Sequence, residues 1–401
     1  MKENKLIGGI LLVSGTTIGA GMLALPVITG YAGFFPSLFL LLLFWVYMTY
    51  TAFLVLEVNL WGGDHTNLIS MAHKTLGRWG EAVSWVTYLF LLYALTTAYI
   101  AGSGPIIAEF IDGIFGYTVP PFVGSIPLLL IFGFCVYRGT KTVDFVNRIL
   151  MLGLVAAYVI MLIFITPHIH PQQLLHRDWK SLALAVSIVA TSFGFHIIIP
   201  TLTTYLHKDV SQLKKTILIG SVIPLIVYIL WELLTLGIIP LEGNHGIEQG
   251  LQDGSNGAHL LSAFLGNPYL SWTARFFSFF AIVTSFLGVS LSLTDFLSDG
   301  LKIKKSKRGK DLLYLLTFGP PIAFTIMDPR AFLSALEYAG AFGVVIILGL
   351  IPALMVWKGR YHHHYPSRFK TPGGKITLVC VMVFSLLVIG LEIANKVTGF
   401  M

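Results

Sequence analysis

The chain has 401 residues, 55% of them hydrophobic and only 11% charged, with a mean hydropathy of +0.80, where a soluble domain averages about 25% charged residues. This composition describes a polytopic helical membrane protein, and the net charge of +7 does not signal nucleic acid, because the basic residues lie between apolar runs. Cys135 and Cys380 both fall inside apolar runs, which supports neither a disulfide framework nor a thiolate metal site and leaves the redox compartment open.

Apolar runs of roughly 20 residues predict eleven spans, at about 6–29, 34–60, 82–111, 122–138, 145–166, 181–205, 212–240, 271–298, 311–327, 331–357 and 376–395. The first run is too long for a signal-peptide core, carries Pro26 and lacks an Ala-x-Ala site, so it is expected to stay in the mature protein. Within it, Gly15, Gly19 and Gly21 with Thr16 and Thr17 make a poor uninterrupted helix. A helix broken at bilayer depth exposes N–H and C=O groups that must face protein, water or a ligand. Gly19 to Ala24 also matches G-x-G-x-x-A, but that loop needs a preceding strand in a soluble βαβ unit. Gly15 and Gly19 form G-x-x-x-G, which by itself means only close helix packing.

The positive charges orient the chain. With the N-terminus cytoplasmic, 21 of the 26 Lys and Arg fall on that side, and only Arg177, Lys180, Arg275, Arg330 and Lys396 fall on the other. Eleven spans then put the C-terminus outside. Residues 62–80, with Leu68, Met71, Ala72 and Leu76 at helical spacing, predict a cytoplasmic interfacial helix. The longest outer loop, 241–268, has a second half, Ala258 to Leu265, that reads as a short helix over the outer mouth. The Lys-rich run at 302–310 reads as an anchor against anionic lipid.

Span 6 repeats the character of span 1. Thr191-Ser192-Phe193-Gly194-Phe195-His196 is followed by Pro200, as the span 1 glycines are followed by Pro26. Spans 1–5 (about 6–166) and 6–10 (about 181–357) are similar in length, and an odd number of crossings per half makes the halves antiparallel. Interrupted segments at matching positions of inverted halves point to a transporter site at the midplane.

Gly15 to Pro26, Tyr93-Ala94-Leu95-Thr96-Thr97-Ala98-Tyr99-Ile100-Ala101-Gly102, Thr191 to His196 and Thr294-Asp295-Phe296-Leu297-Ser298-Asp299-Gly300 together resemble the bacterial aromatic amino acid permeases, the tyrosine and tryptophan transporter family. The first motif is closer to the tyrosine-specific members, and the resemblance runs from span 1 to span 11. It implies an all-α, LeuT-type fold of two inverted five-helix repeats plus one extra helix, in a single transmembrane domain. It also implies proton-driven uptake of an aromatic amino acid, tyrosine favoured, across the bacterial inner membrane.

A zwitterion needs partners for both charged ends. The amides near Ala20 to Met22, at the start of the second half of span 1, present a positive dipole end to a carboxylate. Carbonyls freed near Thr16 and Thr17 and near Val189 to Ser192 can accept from an ammonium, while Gly19 and Gly21 let the ligand approach the backbone. Phe193 and Phe195 can stack on an aromatic ring or simply pack, and Tyr93 and Thr97 are expected to face the site from span 3. Gly194 lies between those two phenylalanines. By analogy with LeuT-type proteins, Ser192 and Phe195 occupy substrate-contact positions. His196 has three readings: it bonds a tyrosine hydroxyl, carries the coupled proton, or satisfies a freed carbonyl.

For the coupling ion, Ala281, Thr284 and Ser285 on span 8, opposite Gly15 and Ile18, resemble the second sodium site of LeuT-type carriers. Family membership favours protons, and the two hydroxyls also serve as ordinary interspan hydrogen bonds. Asp295 and Asp299 at the cytoplasmic end of span 8 either pair with Lys2 or Lys5 as an inner gate or cap the helix in water. Glu57, Glu109 and Glu392 near span ends are expected to be solvated, whereas Glu232 and Glu337 lie deeper and are open to a proton path. The His362 to His364 tract lacks metal-ligand spacing. No cofactor is expected, and oligomeric state stays open.

The resulting expectation is a secondary active importer of tyrosine or a related aromatic amino acid, with a sodium-coupled or broader amino acid carrier as the alternative. A membrane enzyme is disfavoured by the lack of G-x-S-x-G, H-E-x-x-H or paired carboxylates, and a channel by the lack of a filter motif.

Overall fold

The computed structural model describes residues 5–62, 66–265, 268–328, 330–366 and 368–398, and every regular element among them is helical. Span 1 is two helices, α1 (Lys5–Thr17) and α2 (Gly21–Thr29), bent by 53°. Gly33, at φ +88° and pressed against the His176 carbonyl where no Cβ fits, turns the chain into α3 (Phe34–Trp61). The interfacial helix α4 (Leu68–Leu76) starts on a capping box between Asn67 and Ser70 and buries Leu68, Met71 and Ala72. Then come α5 (Arg78–Phe115), α6 (Pro121–Arg138) and α7 (Thr140–Ile165). Span 6 is again divided, into α8 (Leu182–Ser192) and α9 (Ile199–Tyr205), before α10 (Val210–Leu236). The outer loop holds α11 (Ile247–Asp253), which periodicity missed, and the expected α12 (Gly257–Leu265). The chain ends through α13 (Pro268–Gly300), α14 (Lys307–Met327), α15 (Ala331–Tyr361) and α16 (Gly374–Thr398).

Nine helical segments among the described residues are long and apolar enough to cross a membrane, and the bent α1–α2 pair makes ten. α14 coincides with the expected span at 311–327 but is not in that set; four charges in its first turns and Gly319-Pro320-Pro321 dilute its apolar run. α15 is central, with 78% of its apolar stretch buried, while α6, α7 and α16 at 28%, 22% and 28% form the exposed rim. Inside α15, Ala339–Leu350 is wound as a wide π-helix.

The broken spans sit together. α2 packs on α8, α1 lies along α10, and Gly220 admits Val13 so closely that a Cβ there would stand 2.6 Å from the Val13 Cβ. Gly15 and Gly19, by contrast, face the side chains of Met151 and Ser285 rather than another backbone, so their G-x-x-x-G spacing does not mark a helix crossing here.

The expectation that Glu57, Glu109 and Glu392 are solvated is overturned. Glu57 is fully buried and held by Arg360, with Nε to Oε1 at 2.7 Å, and by the Thr371 amide at 2.7 Å. Glu109 joins Arg275 and His259, and Glu392 accepts from Ser187 at 2.6 Å. A carboxylate away from water must be paired, and here the partners come from helices far away in sequence, which span-end position does not reveal.

Candidate functional site

The two interruptions have local causes. In span 1 the Thr16 and Thr17 hydroxyls fold back onto the Leu12 and Val13 carbonyls at 2.7 Å, a contact that competes with the helical ladder and bends helices. The ladder's last bond runs from Ile18 N–H to the Ser14 carbonyl, and tighter i→i−3 bonds follow, from Met22 to Gly19 and from Leu23 to Ala20. Between them the Ala20 amide leaves the ladder and donates to Ser285 Oγ on α13 at 2.9 Å. Gly19 lies against that hydroxyl so tightly that a side chain would displace it. In span 6, α8 stops at Ser192; Phe193, Gly194 and Phe195 make only short-range backbone bonds, a 3₁₀ turn covers His196–Ile198, and Pro200 helps start α9.

One side chain ties the breaks together. The Tyr228 hydroxyl on α10 lies 2.7 Å from the Thr17 carbonyl and 2.7 Å from the Ser192 carbonyl. It has one proton to donate, so at any instant one of the two oxygens is under-satisfied. One turn further, Trp231 Nε1 donates to the Met22 carbonyl at 2.8 Å, and Glu232 meets the Thr29 hydroxyl at 2.8 Å. The strip Tyr228, Trp231, Glu232 thus runs beside span 1 from its break to its outer end. Of the three, only Glu232 stands out in the sequence. The signal for the other two is a tyrosine and a tryptophan three apart inside an apolar run, since buried rings of this kind seek a partner for their polar tip.

A cavity of about 480 Å³ opens beside the breaks. Its walls include Gly15, Thr16 and Ile18 of span 1, Tyr88, Leu92 and Tyr99 of α5, Asn147 and Met151 of α7, Thr191 and Gly194 of span 6, Thr284, Ser285, Gly288 and Ser292 of α13, and Val344 and Leu348 of α15. Nearly all lie level with the breaks or on the Lys- and Arg-rich side of them, so the cavity lies toward that end of the molecule. Thr16 and Gly288 are exposed within it.

The predicted residues divide into those at the cavity and those around it. Gly15, Thr16, Ile18, Gly194, Thr284 and Ser285 line it. Thr17, Ala20, Met22, Val189 and Ser192 are buried immediately behind, and Gly21 faces Ser192 across the two breaks. Ala281 is buried as well, its carbonyl accepting from Thr284 Oγ1 at 3.2 Å.

Several placements differ from expectation. Tyr93 and Thr97 turn onto another face of α5, against Pro320, Pro321 and Phe324 of α14, where Tyr93 donates to the Leu316 carbonyl at 2.8 Å. They stand one and two residues from the cavity residues Leu92, Leu95 and Tyr99, and one residue is about a 100° rotation on a helix. Phe193 and Phe195 are buried away from the cavity, Phe193 with its ring 5.2 Å from that of Tyr228. His196 also points away, into α3, with Nε2 2.8 Å from Thr51 Oγ1.

The expected inner gate is not assembled. Lys5 contacts His207 at 2.8 Å, Asp295 pairs with Lys305 at 2.7 Å, and Asp299 is exposed. Lys2 lies outside the described residues.

At the opposite end of span 1, α12 covers α2. Gly257 at the start of α12 sits over Pro26 and the Leu23 carbonyl of α2, and a Cβ would come within 2.7 Å of the proline ring. Glu109 at the end of α5 holds this lid through His259 at 2.5 Å and Arg275 of α13 at 2.7 Å, and Arg275 also donates to Ser262 of the lid at 3.1 Å. Burial pulls the His259 pKa below its ordinary 6.5, with Glu109 opposing that pull.

Residues 2–392 match the tryptophan/tyrosine permease family. The chain is 35% identical to tyrosine-specific transport system 1 of Haemophilus influenzae, with 98% of each chain covered. It is 31% identical to the tryptophan-specific transport protein of the same species over 100% of this chain and 98% of that one, and 30% identical to the low affinity tryptophan permease of Escherichia coli K12 over 97% and 95%. The chain therefore belongs to the tryptophan/tyrosine permease family, whose members are multi-pass transporters of the bacterial inner membrane and not enzymes.

Proposed function

We propose that this protein imports tyrosine, or a closely related aromatic amino acid, by proton symport and alternating access. The arrangement would be the LeuT type: two inverted five-helix repeats, about 6–166 and 181–357, with an extra helix at about 376–395, in one transmembrane domain. The observation that carries the reading is the pair of broken helices bridged by the Tyr228 hydroxyl beside a cavity of about 480 Å³, large enough for one aromatic amino acid. Relatives named for tyrosine and for tryptophan support the substrate class.

In this reading the amides near Ala20 to Met22 receive the carboxylate, which displaces Ser285 from the Ala20 N–H, and the Thr17 and Ser192 carbonyls receive the ammonium in competition with Tyr228. The ring lies among Leu92, Leu95, Tyr99 and Val344, with Tyr99 in the role expected of Tyr93 and Thr97. Phe193 and Phe195 act as packing behind the site in this cytoplasm-facing conformation, and His196 as a partner of α3. The opposite conformation would lift α12 and bring Lys5 toward Asp295 or Asp299.

A sodium-coupled cycle is the second reading, favoured by one observation: Gly15, Ile18, Thr284 and Ser285 meet at one edge of the cavity. Proteoliposomes separate the two. Radiolabelled tyrosine should accumulate under an acid-outside pH gradient alone and be displaced by aromatic amino acids only. Accumulation under a sodium gradient alone overturns the proton step, and equal competition by aliphatic amino acids overturns the substrate class.

A further inference from the structure

Three buried carboxylates stand in the outer half of the molecule. Glu232 has Thr29 as its hydrogen-bond partner. The other two, Glu337 on α15 and Glu392 on α16, form a cluster. Both are almost completely buried, at 1% and 2% exposure, and they share one ammonium: Lys396 Nζ is 2.7 Å from Glu337 Oε2 and 4.0 Å from Glu392 Oε1. The second oxygen of Glu392 accepts from Ser187 of α8 at 2.6 Å. On each carboxyl the Oε1 atom is buried with no hydrogen-bond partner.

Two ionised carboxylates beside one ammonium leave an uncompensated negative charge, which is costly at membrane depth. The surroundings do little to relieve it. α15 adds Tyr338, whose ring lies 5.1 Å under Lys396, and the chain just before α15 adds Arg330, which acts on Glu337 more weakly than Lys396 does. α8, from Leu182 to Ser192, holds no titratable residue, the outer half of α3 up to Phe44 holds none, and α5, packed on Ala331–Tyr338, adds no cation in its outer half, only Tyr99, Asp112 and Glu109, the last held by His259 and Arg275. One proton shared by the two carboxyls removes the excess charge and supplies the hydrogen that an unpartnered oxygen lacks.

The cluster also touches the moving parts. Ser187 lies one turn before Thr191 on α8, and Thr191 lines the cytoplasm-facing cavity while donating to the Leu336 carbonyl, next to Glu337, at 3.0 Å. Lys396, about one-third exposed, reaches toward the outer surface. The cluster thus stands between outer water and the cavity, with Thr191 as the side chain between it and the cavity.

We propose that Glu337 and Glu392, with Lys396, form the binding site for the coupled proton, and that Ser187 and Thr191 report its occupancy to the broken span 6. This rests on the proton-symport reading and names its residues. The proton arrives from outer water, forms an O–H bond on one carboxyl oxygen, and leaves to water in the cavity; no other bond changes. It further assigns the eleventh predicted helix, outside both repeats, a part in energy coupling.

The test uses the full-length protein in proteoliposomes, with wild type, Glu392→Gln, Glu337→Gln and Glu392→Asp. Each is assayed for tyrosine accumulation under an acid-outside gradient and for tyrosine exchange at equal pH on both sides. Each glutamine variant should lose about tenfold or more in gradient-driven accumulation while exchange continues, which shows that it is folded, and Glu392→Asp should regain accumulation. Wild-type accumulation in both glutamine variants overturns the inference, as does parallel loss of exchange and accumulation in all three variants. Wild type that accumulates only under a sodium gradient overturns the proton-symport reading itself.

Discussion

Tyr228 is the residue on which the two halves of the site depend. Tyr228→Phe keeps the ring against Phe193 and removes the bridge. Loss of a buried hydrogen bond costs about 1–3 kcal/mol, so the melting temperature in detergent should fall by several degrees and the tyrosine KM should move while the protein still folds. An unchanged KM would remove Tyr228 from the site. Gly288 offers a cleaner probe, because a Cβ there meets no atom within 4 Å and the residue faces the cavity. Gly288→Ala should transport normally and Gly288→Leu should block uptake at unchanged melting temperature; uptake by Gly288→Leu would show that the substrate travels elsewhere. The glycines and threonines of the breaks were legible, since residues that weaken a helix stand out inside an apolar run that must otherwise be helical to cross a bilayer. Which face of α5 carries the site was not, because Tyr93 and Tyr99 are both aromatic and only neighbouring helices decide between them. Nor could the sequence choose among the three readings of His196, because its partner, Thr51, stands 145 residues away.

At the scale of elements, the lid α12 and the pair of α3 with α15 give opposite lessons about charge. Glu57 and Arg360 are buried together, so Arg360→Ala strands a carboxylate in the interior. Removing one partner of a buried pair costs about 3–5 kcal/mol, and thermal unfolding should show a loss of that order; a loss within error would mean that water reaches Glu57. The lid is held by a group that titrates. The His259 pKa is lowered in the closed lid, so the closed form prefers neutral imidazole, and its stability declines as pH falls from the ordinary 6.5 toward the depressed value. Hydrogen exchange across 257–265, corrected for intrinsic rate, should therefore quicken between pH 7.5 and pH 5.5, and His259→Gln should flatten that dependence. Quickening on the alkaline side instead would show that the Glu109 pair, and not burial, governs the lid. The existence of α12 was readable from local hydrophobicity. Its latch was not, because Glu109, His259 and Arg275 belong to three elements that only the fold brings together.

For the whole molecule, nine of the predicted spans and the bent first pair are present as long apolar helices among the described residues, since the run needed to cross a bilayer follows from the solvent and hardly at all from packing. What escaped were the side-chain pairings around the breaks, such as Tyr228 with Thr17 and Ser192 and Glu109 with His259 and Arg275. The Tyr228 hydroxyl carries a further consequence at this scale. Two oxygens compete for its single hydrogen, so one of them is frustrated where the two broken spans meet. In the proposed reading an arriving ammonium relieves that frustration, which would make the loaded carrier the calmer of the two states. Saturating tyrosine should then slow unfolding, and it should do so more in Tyr228→Phe, where both carbonyls lack that hydrogen until the ammonium arrives.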